Sequence, residues 1–92
     1  MRQKYVNMAF YRPEDWNRLL SIVDDREVFH ETWEQWHQQY QTSKKHLQSQ
    51  GLKVNDVIIN LDELIRFCFQ NGIKNDGKAR SRFVSQINLP NV

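Results

Sequence analysis

Val57-Ile58-Ile59-Asn60-Leu61-Asp62-Glu63-Leu64-Ile65, running on to Val84, is the stretch whose reading decides the fold. Val57, Ile58 and Ile59 are a short apolar, β-branched run, too short for a helix and suited to a buried strand. Asn60 follows as a helix N-cap, and Glu63 stands where a capping-box acid reaches back to the cap. Ile59 and Leu64 have the spacing of a hydrophobic staple across that cap. Leu61, Leu64, Ile65 and Cys68 then recur at three and four residues, which predicts a helix over 61–71 with one apolar stripe. Gly72 supplies a left-handed residue to end it, and Ile73 folds back onto the Cys68 turn. Asn75 or Asp76 caps a second helix over 76–87, whose inward face is Ala79, Phe83, Val84 and Ile87.

Working toward the N-terminus, Lys53 to Ile59 completes the strand that feeds this helix pair. Upstream of it, Thr32 with Gln35 forms a capping box that opens a helix over 32–50, closed by Gly51. Its apolar stripe is Trp33, Trp36, Tyr40 and Leu47, and its Gln-rich opposite face reads as solvated. A shorter helix over 13–23 begins with Pro13 at the first position, where its missing N–H costs nothing, and Glu14 and Asp15 favour the positive end of its dipole. Trp16, Leu19, Leu20 and Val23 give it a core face. Residues 5–11 alternate, with Val6, Met8 and Phe10 on one face and Asn7 and Ala9 on the other, the period of a strand.

The expected order is β-α-α-β-α-α in an α/β (or α+β) single domain spanning 1–92, with a loose tail over 88–92 after the last helix. Roughly forty residues of helix between two strands rule out a tight hairpin, so the strands should be parallel and joined by a crossover. A two-stranded sheet is marginal alone and its edges invite pairing, so it should be heavily covered by helices or extended in a dimer.

Ninety-two residues make a modest core, which the 3 Trp, 3 Tyr and 5 Phe partly enlarge. A single cysteine, Cys68, excludes an intramolecular disulfide and a cysteine-rich zinc site. No apolar run is long enough to span a bilayer and no signal-peptide core follows Met1, so the expectation is a cytoplasmic protein without a membrane partner. Charge is uneven: through Glu63 the chain has 8 Lys/Arg and 10 Asp/Glu, and from Leu64 onward Arg66, Lys74, Lys78, Arg80 and Arg82 face only Asp76. Such asymmetry prompts the question of an acidic partner.

Lys74, Lys78, Arg80 and Arg82 are therefore the candidate nucleic-acid-binding residues. Two helices joined by a glycine-containing turn, the second one basic, resemble a helix-turn-helix. The match fails early in the second helix, where Lys78 holds a position that should be apolar. The plainer account is a solvated face beside Phe83 and Val84. Trp33, Trp36 and Tyr40 are the candidate interface, since three large rings within two turns exceed what a small interior readily hides; otherwise they are simply core. His30, Glu34 and His37 share one side of a helix, and Glu34-x-x-His37 matches a step found in bundle metal sites. Those sites need further carboxylates, so a solvated polar face is the simpler reading and no metal is expected. Cys68 lies mid-helix on an apolar stripe, where a thiol behaves as a small hydrophobe. No spacing requests catalysis or a cofactor. Enzyme chemistry is not indicated.

Met8-Ala9-Phe10-Tyr11-Arg12-Pro13-Glu14-Asp15-Trp16, Thr32-Trp33-Glu34-Gln35-Trp36, Leu61-Asp62-Glu63-Leu64-Ile65 and Asn75-Asp76-Gly77-Lys78-Ala79-Arg80 together resemble a family of short uncharacterised bacterial proteins. That resemblance implies a compact domain and no established activity, so it assigns no site residue. The functional expectation is a protein-binding or self-associating module, with a homodimer or another protein as partner. The alternative is a nucleic-acid-binding protein using the basic helix pair.

Overall fold

The computed structural model describes residues 4–87; the tail expected over 88–92 lies outside the described residues. In chain order the elements are β1 (Tyr5–Phe10), α1 (Trp16–Ile22), α2 (Trp33–Ser49), β2 (Lys53–Ile58), α3 (Leu61–Asn71) and α4 (Gly77–Ser85). The expected β-α-α-β-α-α order is the observed one.

Local chemistry accounts for most of the boundaries. Thr32 and Gln35 form the full capping box of α2: Thr32 Oγ1 accepts from the Gln35 N–H at 3.2 Å, and the Thr32 N–H donates to Gln35 Oε1 at 3.3 Å. Asn60 Oδ1 accepts from the Glu63 N–H at 3.1 Å to open α3. Gly72, at φ +60°, ends that helix, and the Ile73 N–H returns to the Cys68 carbonyl at 3.0 Å. Of the two candidates before α4, Asp76 is the cap, accepting from the Ala79 N–H at 2.9 Å. Two ends differ from expectation. Residues 13–15 form a 3₁₀ turn ahead of α1, because Arg12 in the cap position offers the backbone no side-chain acceptor. The α4 helix stops at Ser85, and the Ile87 N–H closes a tighter turn onto Val84 O at 3.2 Å.

The strands pair in parallel, from Tyr5 opposite Lys53 to Phe10 opposite Ile58. Side chains alternate across the pleat, so the sheet has two faces and both meet helix. On one, Ala9 and Val57 join Tyr11, Ile59, Leu61, Leu64, Cys68, Ala79, Phe83 and Val84 in the main core. Leu19 of α1 and Leu64 of α3 have no exposure at all, so truncating either to Ala should cost about 2–5 kcal/mol. On the other face Phe10 meets the α2 rings, 5.7 Å from Trp36 and 5.5 Å from Tyr40, edge to face.

The expectation of a wholly buried Val57-Ile58-Ile59 run is corrected at its centre. Val57 and Ile59 are 3% and 2% exposed, but Ile58 is 62% exposed. A period of two sends Ile58 to the α2 face, where the rings gather on Phe10 instead. Among the described residues no helix is long and apolar enough to cross a membrane.

Candidate functional site

A two-stranded sheet has two edges, and the outer edge of β1 opens into a groove. The Lys53 N–H donates to Lys4 O at 2.9 Å, and the Ile59 N–H donates to Phe10 O at 3.0 Å. In a parallel ladder the bonded residues of one strand alternate, so Lys4, Val6, Met8 and Phe10 turn their backbone groups toward β2. The N–H and C=O of Asn7 and Ala9 point the other way, into the groove. At the far end the edge is closed, because the Trp33 indole N–H donates to Tyr11 O at 2.7 Å.

The groove has a volume of about 710 Å³ and is lined by 16 of the described residues. Its floor is Tyr5 to Ala9. One wall comes from α2, with Trp36, Gln39, Tyr40 and Ser43; the other comes from α4, with Gly77, Ser81, Val84 and Ser85. Gly77, Ser81 and Ser85 are four apart and so stack along one side of α4, making that wall low. Asn7 holds the wall against the strand: its Nδ2 donates to Val84 O at 3.2 Å and to Ile87 O at 3.3 Å, and its Oδ1 accepts from Asn55 Nδ2 at 3.2 Å.

Among the described residues Arg80 is the one charged residue lining the groove. Its guanidinium is already occupied. It forms a two-pronged bond to Asp25, at 2.8 and 2.6 Å, and also donates to Asn75 O at 2.9 Å and Asn75 Oδ1 at 3.2 Å. The Phe29 ring lies 4.7 Å from its centre. Arg80 and Asn75 are both buried, at 7% and 6% exposure. The hydrogen bonds from Arg80 hold the Asp25 carboxyl below the usual range, although burial acts against them. Tyr11, buried beside this cluster, is pushed up to about 12, chiefly by desolvation. This cluster joins the α1–α2 connection to the start of α4 and so fixes the α4 wall.

The α2 wall has a polar anchor of its own. The Tyr40 hydroxyl donates to Asp56 Oδ1, and Lys44 Nζ lies 2.7 Å from Asp56 Oδ2. Burial and the Asp56 carboxylate raise the Tyr40 phenol. For Asp56, burial is outweighed by the bonds from Lys44 and Tyr40, and its carboxyl is lowered.

The residues singled out in the sequence are dispersed. Lys74, Lys78 and Arg82 surround a shallow hollow with Ile73, Asp76 and Ala79. Arg80 does not join them; it faces inward and is spent on Asp25. Arg82 also lies over the Phe67 ring at 5.7 Å. Tyr40 is buried, while Trp33 and Trp36 are half-buried against the core, so the aromatic stripe is mostly interior and only part of it reaches the groove. His37 stacks on Trp33 at 4.4 Å, whereas His30 lines a separate surface hollow beside Gln35, Gln38 and Thr42. Among the described residues no three His, Cys, Asp or Glu side chains are placed to hold a metal ion. Cys68 is buried, and desolvation raises its thiol.

Asn7, Ala9, Ser81 and Ser85 escape the sequence reading. The signal that could have found them is composition: Tyr5–Phe10 reads YVNMAF, without a charge, whereas Lys53–Ile58 reads KVNDVI. Comparison of the chain with protein-family models, with curated proteins and with solved structures finds no match.

Proposed function

We propose that this chain is a protein-interaction module that receives an extended segment along the outer edge of β1 at Asn7 and Ala9. The observation carrying this reading is the pair of residues Asn7 and Ala9, whose backbone donors and acceptors open into a groove between α2 and α4 where the charge of Arg80 is paired with Asp25. Strand addition draws affinity from such main-chain groups and specificity from side-chain pockets on either side. Trp36 and Tyr40 supply apolar surface on one wall, and the low α4 wall leaves room for the added strand.

The test is a displayed library of random heptapeptides, with the tightest binder resynthesised and titrated into ¹⁵N-labelled protein. Shifts concentrated at Asn7, Ala9, Gln39 and Ser81 are expected. Peptides that bind only around Lys74 and Lys78, or a library that yields no binder, would remove the proposal.

The nucleic-acid reading keeps Lys74, Lys78 and Arg82, which are exposed on one surface. Three cations with Asp76 among them supply a weak and salt-sensitive attraction. Without Arg80, it is the lesser reading.

A further inference from the structure

Resting on that reading, we infer that the groove selects its occupant: an uncharged extended segment, antiparallel to β1, with a bulky apolar residue opposite Ala9.

The direction follows from the closed end of the edge. In an antiparallel ladder, directly bonded residues exchange both N–H···O bonds. Three residues of a ligand, the outer two opposite Asn7 and Ala9, therefore satisfy all four outward groups. In a parallel ladder the bonds slant, so the middle residue of a ligand takes the Asn7 C=O and the Ala9 N–H. The Asn7 N–H and the Ala9 C=O then need residues two before and two after it, a span of five. The last of those five runs toward Tyr11, where the Trp33 indole already holds the carbonyl at 2.7 Å. The antiparallel segment stops short of that obstruction, with its N-terminal end at Ala9.

Side chains directly opposite one another share a face of the sheet. Asn7 and Ala9 turn theirs toward α4, since Asn7 Nδ2 bonds Val84 O at 3.2 Å and Ala9 packs against the main core. The ligand residues opposite them face α4 as well, and the residue between them faces Gln39 and Tyr40 of α2. Val84 and Ile87 meet Asn7, while the Arg80 charge reaches Tyr11, so α4 runs back along β1 with Ser81 and Gly77 toward the Ala9 end. The two α4-facing positions therefore differ. Opposite Asn7, the amide already bridges the strand to the helix. Opposite Ala9, the strand contributes only a methyl group and the helix only small residues, which leaves a hollow beside the Phe29 ring.

Charge sets the remaining requirement. Arg80 is already bonded twice to Asp25 and also to Asn75. A carboxylate or ammonium on the ligand would lose its hydration there without gaining a counter-ion. An apolar side chain gains by leaving water.

The probe is the tightest heptapeptide from the displayed library, carrying a nitroxide at either end, together with an alanine scan of its residues. With the label at the N-terminus, the amides of Tyr11 and Gly77 should broaden most; with it at the C-terminus, those of Tyr5 and Ser85. One apolar residue should dominate the scan, and changing it to Ala or to Lys should raise the dissociation constant about tenfold or more. Ser81→Leu, at an exposed position, should abolish that size preference by filling the hollow and leave the melting temperature near that of the unaltered chain. Three results would overturn the inference and leave the interaction reading standing, each with binders that still shift Asn7 and Ala9: the opposite direction, tolerance of Lys at the dominant position, or a size preference that survives Ser81→Leu. A library without binders, or with binders only at Lys74 and Lys78, would sink both.

Discussion

The two edges of the sheet are built to opposite specifications. β2 carries Lys53 and Asp56, and Asp56 is tied to Lys44 and Tyr40. β1 carries no charge, no proline and no bulge, and its edge opens between two helices. Charged residues on a strand edge discourage further pairing, and their absence invites it. The contrast teaches that the marginal two-stranded sheet carries charge on one strand only, so its two edges differ in how strongly they resist a further strand.

The strongest way to break that contrast is to disarm β2. Lys53→Thr with Asp56→Asn removes both charges and keeps an acceptor for Tyr40. Without charge on either strand, self-association should rise, seen as larger species than the unaltered chain gives in sedimentation velocity. Next comes the wall of the β1 groove. Arg80→Ala leaves the part-buried Asp25 without its partner and Asn75 without its donor, and a loss of about 2–3 kcal/mol is expected by urea titration. The same pair sets a pH dependence. The folded Asp25 carboxyl is depressed, so its stabilisation is full above the ordinary unfolded value near 3.9 and is lost as pH falls through the folded value. Melting temperatures of the unaltered chain and of Asp25→Asn should therefore converge as pH drops below about 4. Tyr40→Phe removes one bond to a part-exposed carboxylate, and about 1 kcal/mol is expected by denaturant titration. Gly77→Ala should be the mildest, within about 0.5 kcal/mol, because a Cβ there meets Arg80 and Asp25 atoms at ordinary contact distances of 3.8 and 3.9 Å.

Local signals made the architecture legible. Thr32 and Gln35, Asn60, and Gly72 with Ile73 each act within a few residues of themselves, and the long helical connection already implied parallel strands. The burial of Arg80 is not legible locally, for a different reason. It stands three before Phe83 and four before Val84, which places it on the inward face, but its charge suggested solvent. What makes burial tolerable is Asp25, 55 residues away in sequence, and no local pattern announces that pairing. Ile58 was misjudged because a run of three apolar residues hides the alternation that a strand imposes. The groove itself depends on where α4 lies across the sheet, a matter decided by Asn7 reaching Val84 and Ile87. Lys74, Lys78 and Arg82 were legible as an exposed cluster, but their number without Arg80 was not.

Parallel pairing between strands this far apart has a consequence in time. Tyr5 pairs with Lys53, so β1 leaves the ribosome long before its partner exists. At ordinary synthesis speeds of about 5–20 residues per second, the strand waits about 2–10 s for β2. During that interval both of its edges are vacant, and the uncharged sequence YVNMAF offers no electrostatic protection. The interval before Lys53 arrives is therefore when β1 is most open to pairing with another strand, and Trp36 and Tyr40 of α2, which precede β2 in the chain, are the rings that come to cover Phe10.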